Sequence, residues 1–187
     1  MTANFAYLSA TDIPGPVAEA ASAAENSFAV DRALFLLAAR RALELGVKYV
    51  FDSETALISD SENLADLIHN RSFRTLTGEA LFHKINYIRK TANSAAHTAD
   101  VITEPQAQAA LSNLHDFFSF VAERSGYRAE IPKFSAKAVP GNKNTRELTE
   151  YETRRAYIDT MLLDAGWEKN KNWIDEFEIT EMPNKSN

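Results

Sequence analysis

The chain has 187 residues, 45% of them hydrophobic and 25% charged, with six Gly, six Pro and no Cys. That length fits one domain or one domain with an appendage, and the missing Cys excludes disulfides and thiolate metal sites. A net charge of −6 lacks the basic excess of a free-standing nucleic-acid binder. No secretory start and no apolar run near the ~20 residues of a membrane span are present, so a cytoplasmic protein without a membrane partner is expected.

Residues 1–13 read as irregular. Pro14-Gly15-Pro16 opens a helix, since Pro is tolerated in a first turn, and the Ala-rich run from Val17 to Asn26 propagates it. A second helix is predicted from Asp31 to Asp52. Leu36, Leu43, Val47 and Val50 share one face, with Leu34, Leu37, Ala38 and Leu45 opposite. A helix apolar on two sides belongs at the centre of a bundle. Ser59-x-x-Glu62 has the form of a capping box and predicts a short helix carrying Leu64, Leu67 and Ile68. Another helix follows Thr77-Gly78, with Leu81, Ile85, Ile88 and Ala92 at helical spacing. Thr103-x-x-Gln106 caps the clearest helix, whose stripe is Ala107, Leu111, Leu114, Phe118 and Val121, and Gly126 stops it.

Residues 1–126 are thus expected to be a bundle of about five helices. Residues 127–148, with Pro132, Pro140-Gly141 and no apolar period, read as an exposed linker. From 149 to 187 a new unit begins. Thr149-x-x-Glu152 caps a helix that ends at Gly166, and Trp173, Phe177 and Ile179 alternate as in a strand. The fold class is therefore mainly α, with a bundle, a linker and the opening helix and strand of an α/β domain. The chain reads as the N-terminal portion of a larger protein.

Few residues suggest chemistry. Arg89, Asn93 and His97 recur every four positions and share a helix face, where His97 could carry a proton in RNA cleavage or simply fix a helix junction. His69, His83 and His115 stand apart and read as surface or packing residues. Phe117 or Phe120 is a candidate interface anchor. No phosphate-binding loop of the GxxxxGK type is present, so this portion is not expected to bind ATP. Glu150 and Glu152 complement the dipole of their helix, or one of them faces a metal site completed by later residues, since hard cations need several carboxylate oxygens.

Asn4-Phe5-Ala6-Tyr7-Leu8, Ala20 to Glu25 and Ala38 to Glu44 together resemble the start of the helical N-terminal domain of type I restriction enzyme R (HsdR) subunits. Ile88 to His97 resembles that domain's IRxxGNxAAH signature. Leu148-Thr149-Glu150 through Gly166-Trp167 resembles the opening of the nuclease domain that follows. The resemblance covers nearly the whole chain. It implies a parent that cleaves DNA with a PD-(D/E)xK nuclease and translocates it with an ATP-driven motor. Mg²⁺ and ATP would serve those later parts, and no cofactor is implied for this portion. Glu150 would be the nuclease-helix glutamate. The implied partners are the modification and specificity subunits, with DNA held by the rest of the parent.

The helical domain is also similar to the HEPN superfamily, some of whose members cleave RNA. Those carry an arginine directly before the polar residue of the N-x3-H motif. Here that place is Ala92, and Arg89 is a full turn away. The departure favours a binding or assembly role over RNA cleavage; a non-catalytic assembly module is expected, with an RNA-cleaving or RNA-binding domain as the alternative.

Overall fold

A computed structural model describes residues 3–97, 101–139 and Trp167. Five α-helices account for most of them: α1 (Gly15–Ser27), α2 (Arg32–Ser53), α3 (Leu64–His69), α4 (Arg71–His97) and α5 (Glu104–Arg124). No strand occurs among the described residues. The expected helix and strand of residues 149–187 lie outside them, apart from the half-exposed Trp167.

Local chemistry sets the helix ends. Pro16 sits in the first turn of α1. Asp31 caps α2 by accepting from the Leu34 amide at 2.7 Å, which satisfies one of the donors that every helix start leaves free. Thr103 and Gln106 form the reciprocal capping box of α5, as their spacing predicts. At the other end Gly126 adopts φ +93°. The Tyr127 amide donates to the Ala122 carbonyl at 3.0 Å and the Gly126 amide to Glu123 at 3.2 Å. These are the two bonds of a glycine-terminated helix end.

α2 is the hub, packing against α1, α3, α4 and α5. Its predicted face of Leu36, Leu43, Val47 and Val50 is buried. The opposite side differs from expectation: Leu34 and Leu37 are 50% and 44% exposed, and Ala38 and Leu45 are only partly covered. The helix is central, yet one apolar edge faces outward. Phe117 is fully buried, so it is core and not an interface anchor. Phe120 packs partly buried against that core.

Two helix starts also differ. Ser59 and Ser61 bond each other in a local turn, and the cap of α3 is Asn63, whose Oδ1 accepts from Ala65 at 2.8 Å. Helical backbone resumes at Arg71, before Thr77-Gly78, because Asn70 Oδ1 accepts from the Ser72 and Phe73 amides. Gly78, at φ +74° and ψ 161°, then breaks α4 into two pieces. Across this break the Arg74 guanidinium lies 4.2 Å above the Phe82 ring and bonds both oxygens of Glu79 at 2.7 Å.

The ends of the described chain cross over α5. Residues 6–10, read as irregular, form a 3-10 turn (Ala6–Ala10) that buries Tyr7 and Leu8. Of the expected linker, residues 127–139 do not stand free. Ala136 and Val139 are buried, and Tyr127, Ile131 and Phe134 pack against the core. The missing apolar period marks a chain that follows the bundle surface without regular structure.

Candidate functional site

Arg89, Asn93 and His97 lie on the last three turns of α4, and the helix ends at His97. Their spacing of four keeps them on one strip. Arg89 donates through Nε and Nη2 to Asn86 Oδ1 at 3.1 and 2.9 Å. Asn93 is half-buried, and its Oδ1 is shielded from solvent without a hydrogen-bond partner. Ala92 is fully buried. The position just before Asn93 therefore faces the core, where an unpaired arginine would be costly to place. Glu150 lies outside the described residues.

A second constellation surrounds His115, which stands as an isolated histidine in the sequence. The residue is 3% exposed, and neither ring nitrogen has a hydrogen-bond partner. Its ring packs against Phe5 at 5.8 Å, Tyr7 at 5.7 Å and Phe134 at 6.0 Å between centroids. Such a placement is legible in principle. Position 115 lies four residues after Leu111, on the apolar stripe of α5. The cage is not legible, because its walls come from residues 5–7 and 134.

Next to it, Lys84 of α4 bonds Asp116 at 2.5 Å. Burial works against the charged form of Asp116, but its neighbours His115 and Lys84 outweigh that and hold the carboxyl below its usual range. Of the two, Lys84 makes the hydrogen bond. His115 Nδ1 is 4.0 Å from Asp116 Oδ1, beyond hydrogen-bond reach. The Tyr7 hydroxyl stands 3.4 Å from Ser119 Oγ, and burial raises its pKa. The ring of His115 is walled in on three sides, so this cluster offers no open face to a substrate.

His69 and His83 flank Phe82 on the surface near Gly78. His83 Nε2 lies 3.8 Å from Glu79, and His69 Nδ1 contacts the Ala65 carbonyl at 2.7 Å. Among the described residues no group of three His, Cys, Asp or Glu is placed to hold a metal ion. An open cleft of about 460 Å³ lies between the end of α2 and the start of α4, with Leu57, Leu76, Arg71 and Glu54 in its walls. Glu54 is already paired with Arg124.

The outward edge of α2 is the other notable surface. Leu34 and Leu37 are exposed three residues apart, which places both along one edge of α2, and Val30, just before the helix, is 76% exposed. Arg32 bonds the Ile102 carbonyl at 3.4 Å and Glu104 at 3.3 Å, bringing the exposed Val101 to the same end of the bundle. Asp31, Arg32 and Arg41 are exposed around this edge. No protein-family model, curated protein or solved structure matches the chain.

Proposed function

We propose that this bundle is a protein-contact module without catalytic chemistry of its own, at the N-terminal end of a type I restriction R subunit. The observation that carries the contact role is the exposed pair Leu34 and Leu37 on one edge of α2, with the exposed Val30 just before the helix and a polar surround. An apolar centre with a polar rim is the anatomy of a protein interface. A net charge of −6 also suits contact with protein better than contact with phosphates, where affinity comes from neutralising cations. The restriction assignment rests on the resemblance of residues 4–8, 20–25, 38–44, 88–97 and 148–167. In that reading the partner is the core of modification and specificity subunits. Mg²⁺ and ATP serve the nuclease and motor of the parent, and Glu150 is the helix glutamate of that nuclease.

The test mixes the purified chain with a modification–specificity complex and follows both by size-exclusion chromatography. Wild type should co-elute with the complex. The double variant Leu34→Glu/Leu37→Glu should not, while its thermal melt stays within a few degrees of wild type. Failure of the wild-type chain to co-elute sinks the contact reading.

A second reading is favoured by the shared strip of Arg89, Asn93 and His97. An RNA-cleaving domain of the HEPN kind would use it, with His97 as proton carrier. The buried Ala92 and the engagement of Arg89 with Asn86 weigh for the contact module. Loss of RNA cleavage in His97→Ala, with an unchanged melt, would reverse that preference.

A further inference from the structure

We propose that residues 128–139 form a detachable strap, latched by Asn4 and seated over an unsatisfied histidine, which lifts as a unit while the helices stay folded. The latch is a set of four hydrogen bonds converging on one buried residue, three of them on its side chain. Asn4 Oδ1 accepts from the Ser135 amide at 2.7 Å, and Nδ2 donates to the Ser135 carbonyl at 3.1 Å. The Asn4 amide and Nδ2 both donate to Glu25 Oε1, at 3.0 and 2.6 Å. Asn4 and Glu25 are 5% and 1% exposed. A single asparagine thus ties residue 135 to α1 by pairing with its backbone much as a neighbouring strand would.

Outside the latch, Arg128 Nη1 donates to the Glu123 carbonyl at the end of α5 at 3.0 Å, and the apolar hold is light. The strap's one regular turn is Ala136–Ala138. Its fully covered apolar side chains are only Ala136 and Val139, with Ile131 and Phe134 partly covered. A segment with few buried apolar contacts opens more easily than the helices beneath it.

What lies beneath favours opening. Phe134 closes the cage over His115, whose two ring nitrogens have no partner. A neutral imidazole always carries one N–H donor and one acceptor. Both are penalised while they are buried and unpaired, and lifting Phe134 removes one wall between the ring and water. His115 therefore opposes closure and Asn4 supports it, which makes the strap a two-state element. Its consequence is reach. The twelve residues 128–139, released from the surface, extend to about 40 Å at roughly 3.3–3.6 Å per residue. The point at which the chain leaves residue 139 is fixed beside the bundle in one state and free to move in the other.

Amide hydrogen exchange by NMR on the full chain tests this, read as the ratio of the Ser135 rate to the Phe118 rate. Ser135 reports the latch, and Phe118 reports the middle of α5. In wild type the ratio should exceed about 100. His115→Phe removes the unpaired nitrogens and keeps a ring of similar size, so the ratio should fall at least tenfold. Phe134→Ala should raise it at least tenfold. A variant that loosens the whole bundle moves both rates and leaves the ratio alone. Equal rates in wild type, or a ratio that stays the same or rises in His115→Phe, overturns the proposal. Should His115→Phe fail to fold, Phe134→Ala decides alone, and an unchanged ratio there is equally fatal.

Discussion

A Cβ added at Gly46 would stand 2.6 Å from Cε1 of Phe117, a ring that is itself fully buried. The ring has nowhere to move, so α2 and α5 can approach this closely only over a hydrogen. Alanine in a helix interior is ordinarily worth roughly 1 kcal/mol over glycine. Overpacking a filled core costs about 1–3 kcal/mol, and here that term wins. Gly46→Ala should therefore lower the urea midpoint, where an exposed helical glycine would raise it. Tyr87 gives a second prediction at this scale. Burial pushes its pKa up to about 12, and its hydroxyl donates to the Gln106 carbonyl at 3.3 Å. In the unfolded chain a tyrosine titrates near 10. The proton is held more tightly in the fold, so this stabilisation is complete below pH 10 and is lost as the pH rises towards 12. Urea melts at pH 9 and 11 should show the loss, and Tyr87→Phe should reduce it. Neither residue announces itself in the sequence. Gly46 reads as a weak point in a good helix until the facing phenylalanine is known.

Among the elements, what the sequence reveals follows the range of the interactions. The capping box of α5 is made by two side chains three residues apart, so Thr103 and Gln106 are readable directly. Thr103→Ala should cost about 1 kcal/mol, within the roughly 0.5–2 kcal/mol range for a lost cap, measured as a shift in denaturant midpoint. Asp31, Pro16 and Gly126 are readable for the same reason. Caps with competitors nearby are not. Ser59-x-x-Glu62 matches the pattern, but Asn63 lies closer to the first buried leucine and takes the role. Asn70 likewise starts helical backbone seven residues before the break at Gly78. A glycine between two helical runs reads as a beginning. It is here an interruption, bridged by Arg74 reaching over to Glu79 and Phe82.

For the molecule as a whole, periodicity identifies an α-helical bundle with α2 at its centre, and the packing agrees. Periodicity does not tell how many sides of α2 find partners. Leu34 and Leu37 have the spacing of core residues and remain at the surface, because the neighbouring helices cover the other face. The same limit hid the candidate sites. Arg89, Asn93 and His97 form a strip that one helix alone defines, so their spacing was enough to align them. The His115 cage is assembled from residues 5, 7, 115 and 134, and no local pattern joins positions that far apart. The crossing chain ends were missed for a related reason, since a segment without period is read as unattached when it is only irregular.

The bond between Asn4 and Ser135 joins positions 131 residues apart and closes the described chain into a ring. Mechanical tension applied across the two ends of that ring meets side-chain hydrogen bonds before any helix. The bonds act as a shackle: while they hold, force passes from one end to the other without crossing the core. Once they part, the load falls on α1 and α5 in turn. A bundle wired in this way shields its interior from small pulls by neighbouring parts of the chain and yields slack before it yields structure.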